Sequence, residues 1–300
     1  MYFPRPYPDE PTLSLFIRAA RHLGYAMPRL LLEMLHTDPR RASFTLPFSI
    51  TDTSRLTKIP CNELMLRHTF FPYVRAFLSS EKTAAIYEDV IAGSSVPYTH
   101  FTFLAGSKRN RFYARFCHEC VAEDIRRFGE AYWHRKHALP GVFICTEHDI
   151  PLLTTDMLAG TVDPRNCDHL PSEMPGNVVK PLLNHDLVRE IALESQALLE
   201  GRRFSVETLI TRYQQLLDLF GGDPPSPRTV DHPAYTALRS FYGDTYLADT
   251  NFVWLRGQTI VRHRTRPTPT LPNAFGFTAH KHLLLNIFLD HLLASTKDTV

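Results

Sequence analysis

Apolar residues return at intervals of three and four along several stretches of the chain, the spacing that gathers side chains on one face of a helix. In LSLFIRAARHLG, Leu13, Phe16, Ile17, Ala20 and Leu23 keep this spacing, with Thr12 as a candidate N-cap and Gly24 as the stop. A second helix is expected from Pro28, a residue suited to a first helical turn, through Leu30, Leu31, Met34 and Leu35 to about His36. The joining turn GYAM gives the pair the outline of a helix-turn-helix, which pattern alone does not separate from an ordinary helical hairpin. Past a polar connection at 38–59, Pro60–His68, Tyr73–Leu78 and Lys82–Ile91 read as helices, and Gly93 and Pro97 close this part of the chain.

The same period returns in Asp186–Leu199, with Leu187, Val188, Ile191 and Leu198, and in Val206–Phe220, with Leu209, Tyr213, Leu216 and Leu217. Ser205 is placed to cap the second of these, and Gly221-Gly222 to stop it. Their short turn again permits a helix-turn-helix, though a core-forming helical pair is the plainer reading. The chain ends in an apolar helix, His280–Leu293. Pro164, Pro171, Pro175 and Pro181 mark 156–182 as a linker.

The helical period fails over Phe116–Leu152, where Cys117-x-x-Cys120 is followed, after twenty-four intervening residues, by Cys145-x-x-His148. Tetrahedral zinc takes four sulfur or nitrogen ligands, and two-residue spacing lets one turn offer two of them. RFYARF before the first pair and GVFI before the second are rich in aromatic and branched residues, as the strands of zinc-ribbon hairpins are, and Pro140-Gly141 breaks the chain just ahead of the second. The competing reading is chance spacing of core residues. Four protein ligands also fix the role: a catalytic zinc keeps one position open, whereas a Cys3His set is closed and structural. The expected fold is therefore mainly α, with helix-turn-helix-type modules around an inserted zinc ribbon. Its expected divisions are 1–98, 99–155, a linker at 156–182, a helical pair at 183–223, and a C-terminal helical module at 224–300.

The apolar share of 44% marks a core-forming chain, and five cysteines, three of them in the zinc motif, argue against a disulfide framework. Cys167 and His169 would need two further ligands to hold a second zinc, and none can be placed, so one ion is expected. The opening carries no secretory pattern, and Leu283–Leu289, interrupted by Asn286, is too short to span a membrane. A reducing, aqueous compartment is expected.

Net charge is only +2, so any polyanion surface must arise from local clustering. Lys108, Arg109, Arg111, Arg115, Arg126, Arg127, Arg135 and Lys136 stand against four acids, Glu119, Glu123, Asp124 and Glu130. Residues 251–289 carry Arg256, Arg262, Arg264, Arg266 and Lys281 and no acid. Of these, Lys108, Arg109, Arg111, Arg126, Arg127, Arg135, Lys136, Arg262, Arg264 and Arg266 are the candidate phosphate contacts, though any one of them taken singly reads more readily as a solvated surface charge. No Gly-rich phosphate loop, His-Glu-x-x-His, Gly-x-Ser-x-Gly or paired-carboxylate motif appears, and HRKH (134–137) lacks the Glu and the spacing of a zincin, so no enzyme is expected.

The segment RFCHECVAEDIRRFGEAYWHRKHALPGVFICTEHDIPLL resembles the TniQ/TnsD target-selection proteins of transposons. FPRPYPDEPTLSLFIRAARHLG, LMLRHTFFPYVRAFL and TAHKHLLLNIFLDHLL are similar to stretches of the TnsD branch. The resemblance implies a bacterial, nucleoid-associated adaptor that finds the insertion target. It would do so by binding double-stranded DNA or by docking on an RNA-guided CRISPR effector complex, and it would recruit a TnsC-like AAA+ ATPase and through it the transposase. It also implies that Cys117, Cys120, Cys145 and His148 are zinc ligands, and it favours helix-turn-helix elements at 12–36 and 186–220. Site-reading members of the TnsD type are usually longer, with further C-terminal DNA-binding repeats. A chain stopping at Val300 is thus expected to be a shortened or short member, in which ATPase recruitment carries more weight than sequence readout. The rivals are a zinc-dependent DNA-binding regulator without an ATPase partner, and a metal-dependent hydrolase, which would need the open position that Cys3His lacks.

Overall fold

A computed structural model describes residues 2–38, 43–44, 47–93, 113–158, 168–179, 183–221, 233–249 and 279–297. The candidate bases Lys108, Arg109, Arg111, Arg262, Arg264 and Arg266, with Cys167, lie outside them.

The first helices are α1 (Thr12–Leu23) and α2 (Met27–Glu33). Thr12 is the first helical residue and not the cap: Pro11 holds the extended N-cap position, and its carbonyl accepts from the Leu15 N–H. Gly24 ends α1 at φ 69°, and Tyr25 N–H returns to Ala20 O at 2.8 Å. Polar Ser14 and Arg18 lie buried within α1 because Glu10, itself fully buried, accepts from both.

Next come α3 (Ile50–Thr57), α4 (Cys61–Arg67), α5 (Phe71–Arg75) and α6 (Ser80–Ile91). Helix α3 falls in the stretch expected to be a polar connection. Its inward face is Ile50, Thr53 and Thr57, and each threonine donates its hydroxyl to the carbonyl four residues back, at 2.6 and 2.7 Å. A face built from self-satisfied hydroxyls leaves little hydrophobic signal.

Strand β1 (Tyr113–Phe116) leads directly into α7 (His118–Phe128). β2 (Leu153–Leu158) pairs antiparallel with both β1 and β3 (Asn177–Val178), giving the order β1-β2-β3. Part of the expected linker is therefore sheet. The last described helices are α8 (His185–Leu199), α9 (Val206–Leu219), α10 (Pro233–Tyr242), α11 (Asp244–Asp249) and α12 (Ala279–Lys297). Ser205 caps α9 by accepting from Thr208 N–H at 3.1 Å, and Asn184 caps α8 in the same way. No described helix is long and apolar enough to cross a membrane.

Two hydrophobic cores form. One joins α1 and α2 to Ala114, Phe116, Trp133, Met157 and Leu170. The other joins α4–α6 and α8–α12 to Leu139, Val142, Phe143, Ile144 and the three cysteines of the motif. The Cys/His segment thus supplies side chains to both. Gly141 shows how tightly: at φ 73°, a Cβ built on it would lie 2.4 Å from His280 Cε1 and 2.5 Å from the Tyr246 hydroxyl.

Candidate metal centre

Cys117 is the N-cap of α7, and Cys120 lies in its first turn. The first pair therefore sits at a strand-to-helix junction, where a hairpin turn was expected. EDIRRF continues the helix with Arg126 and Arg127 in its last turn, near the end of the helix dipole that favours cations. The second pair does sit in a reversal. Ile144 bridges Pro151, Leu152 N–H donates to Phe143 O at 2.9 Å, and Cys145 N–H donates to Ile150 O at 2.9 Å. Asp149, at φ 54°, closes the turn by donating to Cys145 O.

These two turns bring Cys117, Cys120, Cys145 and His148 together, with one potential ligand atom from each lying within 4.8 Å of the others. His148 Nδ1 is 3.6 Å from the Cys117 sulfur, 3.4 Å from that of Cys120 and 3.6 Å from that of Cys145, and the Cys120 and Cys145 sulfurs are 3.6 Å apart. A tetrahedron with zinc–sulfur bonds of about 2.3 Å and zinc–nitrogen bonds of about 2.0 Å has sulfur–nitrogen edges of about 3.5 Å and sulfur–sulfur edges of about 3.8 Å. The four residues could hold a metal ion of that size without rearrangement. The thiols point the same way: hydrogen bonds from Cys117 and Cys120 hold Cys145 well below its ordinary pKa, while hydrogen bonding with Cys117 and Cys145 pushes Cys120 up. Three sulfurs this close cannot all ionise unless a cation joins them.

Beside the cluster runs a single 3-10 turn, Arg135–Ala138, in which consecutive side chains reach different parts of the molecule. Arg135 donates to Asp9 Oδ1 at 3.0 Å and to the carbonyls of Leu66 and Thr69 at 3.1 and 2.8 Å. Lys136 donates from Nζ to Glu147 at 2.9 Å and from its backbone N–H to Asp9 Oδ2 at 3.0 Å. His137, fully buried, brings Nε2 to 3.9 Å from the Cys120 sulfur. Preceding them, His134 Nε2 hydrogen-bonds the Asp124 carboxylate at 2.9 Å.

A second buried network lies one layer out. Arg18 donates to Glu10 at 2.7 Å and to Glu130 at 2.9 Å, and its guanidinium lies 3.7 Å from the centre of the Tyr7 ring. Burial, partly offset by Arg18, pushes the Glu10 carboxyl up to about 7. Spacing in the sequence gave no sign of the Arg18–Glu130 bond or of the His137–Cys120 approach, which join residues 112 and 17 positions apart on different elements.

The basic cluster expected around the motif is thinned by the fold. Arg135 is buried and donates to Asp9 and to the carbonyls of Leu66 and Thr69, and Lys136, half-buried, donates to Glu147, so both are drawn into contacts within the protein. Arg115 is buried too, its guanidinium 4.2 Å from the centre of the Phe143 ring. Arg126 and Arg127 remain exposed on α7, with Glu123 3.5 Å from Arg126. His169 lies at the surface near Asp168 and Glu173, away from the four-residue cluster.

The TniQ family model matches residues 1–152, an interval that begins at the N-terminal arm and closes just after the second pair of the motif. The transposon Tn7 transposition protein TnsD of Escherichia coli is 28% identical over 158 residues, which is 49% of this chain and 30% of that protein. The matched stretch thus spans less than a third of the relative's own length.

Proposed function

The chain belongs to the TniQ family, and from that premise we propose that it is a transposition target-selection adaptor. It engages target DNA, recruits a TnsC-like AAA+ ATPase and through it the transposase, and performs no chemistry of its own. The observation that carries this reading is the extent of the family match, which takes in both helices of the first core and all four residues of the cluster. The transposition role in the name of the relative TnsD supports it.

Within this proposal Cys117, Cys120, Cys145 and His148 hold one structural zinc. Such an ion closes its own coordination shell and contributes apparent folding energy of about 10–16 kcal/mol in small zinc domains. Arg126 and Arg127 on α7, with Lys108, Arg109, Arg111, Arg262, Arg264 and Arg266 from outside the described residues, are the proposed phosphate contacts.

One observation favours a second version, in which the adaptor docks on an RNA-guided effector complex and leaves DNA recognition to it. Three of the eight bases between Lys108 and Lys136, namely Arg115, Arg135 and Lys136, are turned inward. Binding to candidate target and scrambled duplexes as a function of salt, paired with ATPase capture on the same DNA, separates the versions. Site-specific binding with a steep salt slope is expected of a direct reader. Weak, non-specific binding with intact ATPase capture is expected of a docking adaptor. Failure of ATPase capture under both conditions would overturn the proposal.

A further inference from the structure

Three thiolates on a divalent ion leave a net negative charge. Here that charge would sit where Cys117 and Cys145 are fully buried and Cys120 nearly so. A buried charge of this kind is held at acceptable cost only when hydrogen-bond donors face it. The sulfur of Cys120 lies 3.6 Å from Cys145 and 3.4 Å from His148, both members of the cluster, and 3.9 Å from His137 Nε2, which is not.

The His137 ring is itself fixed. It lies against the His134 ring, with centroids 5.1 Å apart, and His134 is anchored by Asp124 at 2.9 Å. Its other nitrogen, Nδ1, is buried and meets no hydrogen-bond partner. A neutral imidazole carries one N–H, and a thiolate only accepts, so the proton belongs on Nε2, where it has an acceptor.

We propose that His137 is a positioning residue of the metal centre, donating its Nε2–H to the Cys120 sulfur and so offsetting charge that the ion leaves on it. The inference rests on the reading of the cluster as a metal site. The bond does two things at once. It orients the Cys120 side chain toward the cluster, and it withdraws electron density from one thiolate, as partners outside a metal's immediate ligands commonly do.

The test uses the full chain and two variants. His137→Gln presents an amide N–H at about the reach of Nε2, whereas His137→Leu fills the space without a donor. Competition for zinc against a chromophoric chelator should show affinity about 10–100-fold weaker in H137L, the usual cost of losing such a partner, and largely retained in H137Q. In the cobalt-substituted proteins the sulfur-to-metal charge-transfer band should shift in H137L and stay near the wild-type position in H137Q. Packing alone would move stability and leave the band in place.

Should H137L fail to fold, wild-type protein with cadmium-113 at the site and nitrogen-15 in its histidines carries the test. A His137 Nε2–H tautomer with scalar coupling to cadmium is expected, and an Nδ1–H tautomer would overturn the inference. Zinc affinity and band position unchanged in both variants would overturn it while leaving the metal reading intact. A wild-type chain that takes up no metal would overturn both.

Discussion

Arg135 and Asp9 form an ion pair 3.0 Å long, joining residues 126 positions apart. Asp9 stands at φ 59°, in the left-handed region, and its second carboxylate oxygen accepts the Lys136 N–H. One aspartate in the N-terminal arm thus receives two donors from the turn beside the Cys/His cluster. The Arg135 Nη1 donates to the carbonyls of Leu66, in α4, and of Thr69, just past its end.

Arg135→Ala should therefore act on the fold and not on a DNA surface. It strands a half-buried carboxylate and two carbonyls, and breaking a buried pair from one side costs about 3–5 kcal/mol. Arg135→Lys should recover only part of this, because an ammonium cannot serve all three acceptors in the fork geometry. Urea unfolding reads both, and wild-type stability in Arg135→Ala would contradict the placement.

Replacing Cys117 or His148, or stripping metal with a chelator, should unlock both cores, since Phe116 of one core and Ile144 of the other adjoin Cys117 and Cys145 in the chain. Expected are one zinc per wild-type chain by elemental analysis, none in Cys117→Ser, and a red shift of Trp133 emission as that ring leaves Phe44 and Phe116. Unchanged thermal stability with no zinc would sink the metal assignment.

His68 supplies a pH test. Burial holds its imidazole down to about 4, although its Nδ1–H donates to Glu10 O, 2.8 Å away. A folded pKa below the ordinary value of 6.5 gives stability that is whole above 6.5 and is lost as pH falls through 4. Burial of Glu10 works in the opposite sense. Its carboxyl, raised to about 7, contributes stability that is present in full below its ordinary 4.5 and is lost as pH rises through 7. Unfolding measured from pH 4 to 7 should show a flattened profile in the wild type. In His68→Gln the imidazole contribution, of order 3 kcal/mol at 1.36 kcal/mol per unit, should vanish, leaving stability that falls with rising pH.

Gly141→Ala should destabilise for two independent reasons. The backbone sits at φ 73°, and the new methyl would fall inside the contact distance of His280 and Tyr246, which belong to α12 and α11. Overpacking alone costs about 1–3 kcal/mol. Loss of α12 protection in hydrogen exchange should accompany the drop.

Arg126→Ala with Arg127→Ala should leave stability near wild type, both side chains being exposed. If α7 faces phosphates, DNA affinity should fall evenly across sequences and the salt slope by about 2, one per contact. An unchanged slope would remove α7 from the DNA surface.

The legible parts of this chain were those decided locally. The periodicity and Gly24 announced α1, Ser205 announced the start of α9, and the two-residue spacings announced the four side chains that the fold gathers. Illegible parts depended on partners far away in sequence. Nothing near Arg135 signals that it turns inward, because its acceptors are Asp9, Leu66 and Thr69. Helix α7 was hidden because its buried positions, Cys120 and Asp124, look like a ligand and a surface acid. Helix α3 was hidden because threonines form its inward face.

The turn at 135–138 also sets a timetable. On a ribosome adding about 5–20 residues per second, the arm and α1 emerge many seconds before the residues that complete them. Until Glu130, Trp133 and Arg135 arrive, Arg18 lacks its second carboxylate, Ser14 has no Trp133 N–H to accept, and Asp9 has no cation. The first half of the chain therefore waits, exposed to chaperones and proteases, for a segment whose own closure, on the proposed reading of its Cys/His cluster, awaits a metal ion. Zinc supply during synthesis, more than zinc supply to the finished protein, would then govern how much of it survives.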